Sequence, residues 1–171
     1  MPLFRMLSKL IDVLATYANL IAVFCLVAMT LLINVEVFSR TFFGVSTLIS
    51  EEWSSYMLVY MIFLGLASTY RQDALLRVEV IFMRLHKKHQ DLIRLICLLL
   101  AIVFVVLFDY ELTRFVLSSY LSGLKSISFS ETPLYIPQIA MPIGVALLGL
   151  QLLRDGIQII IALRQNITSC T

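Results

Sequence analysis

Four long apolar stretches, each with at most one charged residue, dominate the pattern along the chain. They are the 23 residues between Asp12 and Glu36, 18 between Glu52 and Arg71, 17 between Asp91 and Asp109, and 22 between Glu131 and Arg154. A helix of about 20 residues crosses roughly 30 Å of hydrocarbon, and lipid cannot satisfy unpaired backbone groups. The pattern therefore predicts four transmembrane helices in a single domain of residues 1–171, at about 13–38, 52–71, 92–113 and 135–161.

The composition favours the same class of protein. Of the 171 residues, 60% are apolar and only 14% are charged, whereas a soluble domain carries about 45–50% and about 25%. An ordinary soluble enzyme, a disordered chain and a disulfide scaffold are excluded. A net charge of +2 is too small to predict nucleic-acid binding. We expect an all-α integral membrane protein, since the alternating pattern of outer-membrane strands is absent.

The basic residues predict the orientation of the helices. If the N-terminus is cytoplasmic, ten of the 13 Lys and Arg residues fall in cytoplasmic segments, and only Arg40, Arg114 and Lys125 fall outside. This excess predicts that both termini are cytoplasmic. The first apolar stretch exceeds the roughly 7–15 residues of a signal-peptide core, so we expect it to remain as a membrane anchor.

A basic segment at about 74–88 connects the second and third predicted helices. Its basic residues flank a wide apolar face, a pattern typical of a short amphipathic helix that lies in the headgroup plane. The residues expected to contact lipid headgroups are Arg77, Arg84, Lys87 and Lys88.

Redox and metal chemistry are not predicted. Cys25, Cys97 and Cys170 form no C-x-x-C pair, and none lies in a predicted outside loop. The two histidines, His86 and His89, flank the lysines of the basic segment, while a haem bundle needs histidines on facing helices. We therefore expect no cofactor, no metal site and no catalytic residue.

Acidic residues lie at or near the ends of the predicted spans or in the basic segment. Asp109, Glu111 and Arg114 are expected to close the third span at the outer surface. An ion-coupled carrier usually keeps an ionisable group near the membrane midplane. The chain by itself is therefore not expected to carry a solute.

Glu36 and Arg40 are four residues apart, with the acid first, which favours a helical ion pair. Either the pair is satisfied within the helix or it contacts another membrane subunit.

A second polar group opens the second predicted helix. Ser50 can cap this helix, and Glu51 and Glu52 favour its positive end. Alternatively, the two acids, followed by the interfacial Trp53, could dock a basic partner.

Small residues predict close helix packing in two places. Gly65 lies four residues before Thr69 in the second helix, and Gly144 lies four residues after Ala140 in the fourth. Small residues at this spacing let membrane helices approach closely, either within the unit or against a partner. Pro142 is expected to kink the fourth helix.

The segment 38–79 resembles the small membrane subunit, the DctQ type, of tripartite ATP-independent periplasmic (TRAP) transporters. Leu75 stands where the family usually has a histidine. The features that carry the resemblance are an arginine that ends the first span, an acidic pair that opens the second, a mid-span glycine and an arginine that ends the second span: Arg40, Glu51, Glu52, Gly65 and Arg71.

The resemblance implies a non-catalytic subunit in the bacterial inner membrane. Its expected partners are a large membrane subunit, which moves an organic acid by a sodium-coupled elevator motion, and a periplasmic substrate-binding protein. The small subunit would act as a scaffold and help to dock the periplasmic protein.

An alternative remains open. The chain could form a self-sufficient homo-oligomeric carrier or channel, in which a fourth helix broken near Pro142 and Gly144 exposes carbonyl groups to an ion.

Overall fold

The computed structural model describes residues 2–46, 49–72, 87–126 and 131–168. Every regular element within these ranges is a helix, as predicted. The helices are α1 (Pro2–Phe43), α2 (Ile49–Arg71), α3 (Lys87–Leu121), α4 (Tyr135–Gln138) and α5 (Ala140–Thr168). The predicted interfacial helix at 74–88, with Arg77 and Arg84, lies almost entirely outside the described residues, and Lys87 and Lys88 begin α3.

Three of the described helices are long and apolar enough to cross a membrane: Ser8–Phe43, Leu95–Leu121 and Tyr135–Ile159. The 23 residues of α2 would extend about 34 Å at 1.5 Å per residue, but this helix carries more polar side chains. Its membrane crossing and the orientation of the termini stay predictions.

The four long helices lie side by side in an open row. α2 and α5 pack together at the centre, α1 packs mainly on α2, and α3 packs on α5. The short α4 contacts α2, α3 and α5. Three polar side chains of α2, Ser50, Glu52 and Ser68, are buried in this arrangement, whereas Glu51 and Ser55 are exposed.

The buried face of α1 follows a heptad spacing. Ile11, Ala15, Ala18 and Ala22 are all buried, at intervals of four, three and four residues, which keep one side of a helix against its neighbour. Ala18 and Ala22 pack with Leu64 of α2. Because these side chains are small, α1 and α2 can pack closely through van der Waals contacts, without a hydrophobic effect between them.

Glycines on α5 determine how closely it meets its two neighbours. A Cβ atom at Gly144 would overlap the backbone carbonyl of Phe63 in α2. On the other side, a Cβ atom at Gly149 would lie 3.3 Å from Val105 Cγ1, and one at Gly156 would lie 3.0 Å from Leu98 Cδ2. The predicted close approach at Gly144 is thus present within the chain. Gly65, by contrast, has nothing within 4 Å of its Cβ position.

The helical conformation is interrupted before Pro142 and not at Pro142 itself. α4 ends at Gln138, Ile139 forms a turn, and α5 begins at Ala140. Pro142 therefore occupies the first turn of α5, where a backbone N–H has no partner within the helix and proline is tolerated.

Two glycines terminate the longest helices. Gly44 (φ 65°) follows the last residue of α1, and Gly123 (φ 60°) lies just beyond the end of α3. Both adopt the left-handed conformation that commonly ends a helix. After α3, the Ser126 N–H donates to the Thr132 carbonyl at 2.9 Å, so the chain returns directly to α4.

The row leaves most of its apolar surface uncovered. Within the most apolar part of each helix, only 11% of α1 and 11% of α3 is buried by the rest of the chain, against 39% of α5. Two of the three apolar helices therefore require lipid or another protein along most of their length.

Replacing Gly144 with alanine is expected to destabilise the contact between α2 and α5 by about 1–3 kcal/mol, because the added methyl group meets backbone that cannot move aside. Gly65→Ala is the matched control, with open space at its Cβ position. Unfolding of both purified variants in detergent micelles checks the difference; equal stability would contradict the close approach at Gly144.

Candidate functional site

A carboxylate at one end of the row organises a polar cluster, which we call the Glu36 layer: Glu36, Arg40, Ser46, Ser50 and Glu51. Glu36 is buried. Its Oε1 accepts hydrogen bonds from Arg40 Nη2 at 3.2 Å and Ser46 Oγ at 2.8 Å. Its Oε2 accepts one from Ser50 Oγ at 3.0 Å. The carboxylate thus joins the end of α1, the connecting loop and the start of α2.

The predicted pair of Glu36 and Arg40 is therefore part of a larger network. Arg40 Nη2 also donates to Ser46 Oγ at 2.9 Å and lies 3.9 Å from Glu51 Oε1. Ser50, expected to cap α2, is the second residue of the helix and donates to Glu36. Sequence spacing predicted the helical pair but not the hydrogen bonds from Ser46 and Ser50 to Glu36. These depend on how the loop and the start of α2 fold back onto the end of α1.

The two acids at the start of α2 have different surroundings. Glu51 is 81% exposed. Glu52 is buried, and its Oε1 accepts a hydrogen bond from the Tyr56 hydroxyl at 2.6 Å. Trp53 is exposed and packs edge-on against the Tyr56 ring, with 6.4 Å between centroids. Only Glu51 of the pair is thus available to a partner without rearrangement of the helix.

A second polar cluster lies at the opposite end of the row. We call it the Asp12 layer: Asp12, Thr16, Tyr70, Arg71, Arg154 and Asp155. An ion pair joins Arg154 Nη1 of α5 to Asp12 Oδ1 of α1. Because the two residues are 142 positions apart, this contact connects the first and last long helices directly.

Arg71 and Tyr70 attach the end of α2 to the same layer. Arg71 Nη1 donates to Thr16 Oγ1 at 3.1 Å and to the Asp12 carbonyl at 3.2 Å. The Tyr70 hydroxyl donates to Asp155 Oδ2 at 2.9 Å. The layer therefore joins α1, α2 and α5. The sequence analysis singled out Arg71 but neither Asp12 nor Asp155. A signal was present for one contact, since Asp12 and Arg154 carry opposite charges and border apolar stretches on the same predicted side of the membrane.

The charged residues of α3 do not close a helix. The predicted third span ends at 113, but α3 continues to Leu121. Asp109 falls on the face that packs against α5, in register with Val105 and Leu112, and its Oδ1 is buried with no hydrogen-bond partner among the described residues. Glu111 and Arg114 are exposed and lie 3.8 Å apart. Both lie within α3, which continues beyond the predicted third span; their expected place at the outer surface stays a prediction.

Gln151 of α5 is a buried polar residue that the sequence did not single out. It is 2% exposed, and it is the largest fully buried side chain in the described part of the chain. Its Nε2 has no hydrogen-bond partner there. An uncharged polar residue within an apolar stretch leaves no break in the charge pattern, so only the structure identifies it.

A metal site needs several ligand side chains close together. No three of the His, Cys, Asp and Glu side chains of the described residues cluster closely enough to hold a metal ion, and Cys25 and Cys97 are free. A cavity of about 240 Å³ lies between α1 and α2 beside the Glu36 layer, lined in part by Ile33, Val37 and Ser54. It lies at the end of the row and not in its apolar middle.

Long apolar helices joined by polar layers at their two ends define a helical membrane protein. A comparison with family models extends this assignment, since the model for the DctQ component of tripartite ATP-independent periplasmic transporters matches residues 29–161. The chain belongs to this family of transporter components. A comparison with curated proteins found no match.

The ion pair between Asp12 and Arg154 is expected to stabilise the chain. Asp12→Asn or Arg154→Gln alone should each lower stability by about 1–3 kcal/mol, because each removes one partner of a partly buried ion pair. The loss should be smaller for Arg154→Gln, since Arg71 Nη1 still lies 4.0 Å from Asp12 Oδ1. The double variant should lose less than the sum of the two.

The exposed pair of Lys125 and Glu131 is the matched control. Glu131→Gln should change stability by less than about 0.5 kcal/mol. Unfolding in detergent measures all four variants, and additive losses for Asp12 and Arg154 would contradict a direct pair.

Proposed function

We propose that this chain is the non-catalytic small membrane subunit of a sodium-coupled TRAP transporter for organic acids. In this role it is a scaffold for the large elevator-type membrane subunit and helps to dock the periplasmic substrate-binding protein. The Asp12 layer faces the cytoplasm with both termini, the Glu36 layer faces the periplasm, and α2 is a fourth membrane span of the bacterial inner membrane.

The open row of helices is the observation that carries this proposal. A carrier must enclose its solute between helices at membrane depth. Here α1 and α3 lie on opposite sides of the α2–α5 pair, and each buries only 11% of its most apolar part within the chain. Such a row offers long surfaces to a partner but does not surround a pathway.

The polar layers support the scaffold role. The carboxylates of the Glu36 and Asp12 layers are contacted by arginine, serine or tyrosine side chains. Glu36 accepts three such hydrogen bonds. These contacts fix one helix against the next, which is what a static support requires.

Among the residues singled out from the sequence, several remain candidates for contacts with the partner subunits. Gly65 presents open space on α2, which a helix of the large subunit could occupy. Lys87 and Lys88, with Arg77 and Arg84, are proposed to contact lipid headgroups. Glu51 and Trp53 are exposed on the face proposed to meet the periplasmic protein.

Co-expression with the large membrane subunit of the same transporter is expected to give a stable one-to-one complex. Liposomes that contain the complex, the periplasmic protein and a sodium gradient should take up the organic acid, and liposomes with this chain alone should not. Uptake by the chain alone would overturn the proposal and favour the homo-oligomeric carrier.

Reversal of the exposed charge in Glu51→Lys is expected to weaken association of the periplasmic protein with the reconstituted complex by about three- to tenfold at low salt, if a basic surface docks there, and by less at high salt. The neutral variant Glu51→Gln should give an intermediate loss. Surface plasmon resonance on complexes in nanodiscs measures both.

Glu52→Gln serves as the structural control, since this buried side chain contacts Tyr56. It should lower stability and leave the salt dependence of association unchanged. Equal association of wild type and Glu51→Lys would leave Glu51 with a role at the helix start only.

A further inference from the structure

α3 carries exposed charges in its second half, ten and seven residues before its end. Glu111 and Arg114 are 67% and 64% exposed, and Arg114 also lies over the Tyr110 ring, with its guanidinium carbon 5.8 Å from the centroid. We call these three residues the Tyr110 patch. Contacts with the neighbouring helices give its level within the row.

Two contacts determine the level of the Tyr110 patch. Towards the Asp12 layer, the Cβ position of Gly156 lies 4.0 Å from Ile102 Cδ1. At the other end, the rings of Tyr120 and Tyr135 are in contact, with 5.2 Å between centroids. Glu111 is nine residues from both Ile102 and Tyr120, or about 13 Å along the helix from each.

The facing part of α5 is apolar at this level. Residues 139–150 contain no charged side chain, and Ile143 and Leu150 are exposed on its surface. This stretch lies between Arg154, in the Asp12 layer, and Tyr135, where the chain leaves the row. The Tyr110 patch therefore lies beside an apolar stretch of the neighbouring helix, which suits the hydrocarbon of a membrane better than its surface.

Lipid is an unfavourable neighbour for these charges. A charged residue at the centre of a membrane helix is unfavourable unless a polar or charged partner meets it. About 13 Å of helix separates Glu111 from either end of the interval, farther than an extended side chain reaches. The contact between Glu111 and Arg114 offsets part of this cost but leaves their remaining hydrogen-bonding groups unpaired in lipid.

The exposed face of α1 is different. Its middle presents Leu20, Phe24, Val27 and Leu31, all exposed, which suit acyl chains. The two edges of the row are thus distinct: one edge is apolar at mid-depth, and the other carries an ion pair and a tyrosine.

We propose that the face of α3 centred on the Tyr110 patch packs against the large membrane subunit, which presents charged or hydrogen-bonding groups at the same depth, and that α1 faces lipid. The inference rests on the proposed function, because that subunit is the membrane partner a TRAP component requires. It identifies which edge of the row is the subunit interface.

Site-specific photo-crosslinking in the co-expressed complex tests the inference. A benzoylphenylalanine residue at Tyr110 is expected to crosslink to the large subunit, and the same residue at Phe24 in α1 is not. Affinity capture of the complex, scored separately, reports whether the two subunits assemble at all.

The outcomes separate the two proposals. Capture with crosslinks from Tyr110 alone supports the inference. Capture with crosslinks from Phe24 alone, from neither position, or only between two copies of this chain overturns it and leaves the proposed function standing. Failure of capture with the wild-type pair of subunits contradicts the proposed function itself.

A charge exchange gives an independent test. Glu111→Arg combined with Arg114→Glu keeps the net charge and the contact within α3 but inverts the pattern shown to a partner. Recovery of the large subunit with this variant is expected to fall about tenfold or more, as for mispaired buried charges, while unfolding of the isolated chain in detergent stays unchanged. Full recovery would show that Glu111 and Arg114 interact only with each other and not with the large subunit.

Discussion

The backbone contact between α2 and α5 at Gly144 is the constraint on which the row depends. Because position 144 has no side chain, the Phe63 carbonyl of α2 can lie where a Cβ atom would otherwise be. On the other side of α5, Gly149 and Gly156 allow α3 to pack closely against it. Without water to drive apolar surfaces together, such close packing is a main source of helix association.

The two polar layers add hydrogen bonds and ion pairs to the apolar contacts between the helices. The Asp12 layer joins α1, α2 and α5 through Arg71 and Arg154, and the Glu36 layer joins α1 to α2. α3 contributes no described contact to either layer and depends on α5 and α4 for its position. The helix with the weakest polar attachment is thus the one that carries the exposed pair of Glu111 and Arg114.

Much of this architecture could be predicted from the sequence. Apolar stretches of about 20 residues located the long helices, since hydropathy is a sufficient signal where charges lie outside the membrane. The same rule predicted a third span of about 92–113, which lies within the longer helix α3. Hydropathy locates the apolar part of a helix and does not mark where the helix itself ends.

The candidate sites were less predictable for a geometric reason. The pair of Glu36 and Arg40 follows from spacing along one helix, but the partners Ser46 and Ser50 come from the loop and the next helix. The ion pair of Asp12 and Arg154 joins distant parts of the chain, and no local pattern records it. A glycine at mid-span predicts close approach in general, yet only the packing distinguishes Gly144 from Gly65.

The length of α1 has a mechanical consequence. Asp12 and Glu36 are 24 residues apart, about 36 Å along the helix axis, whereas the hydrocarbon is roughly 30 Å thick. A single continuous helix that is anchored in a polar layer at each end can accommodate this excess by leaning away from the bilayer normal. Because the polar layers attach α2 and α5 to α1, a tilt of α1 would be shared by the whole row and would change the angle of its far edge.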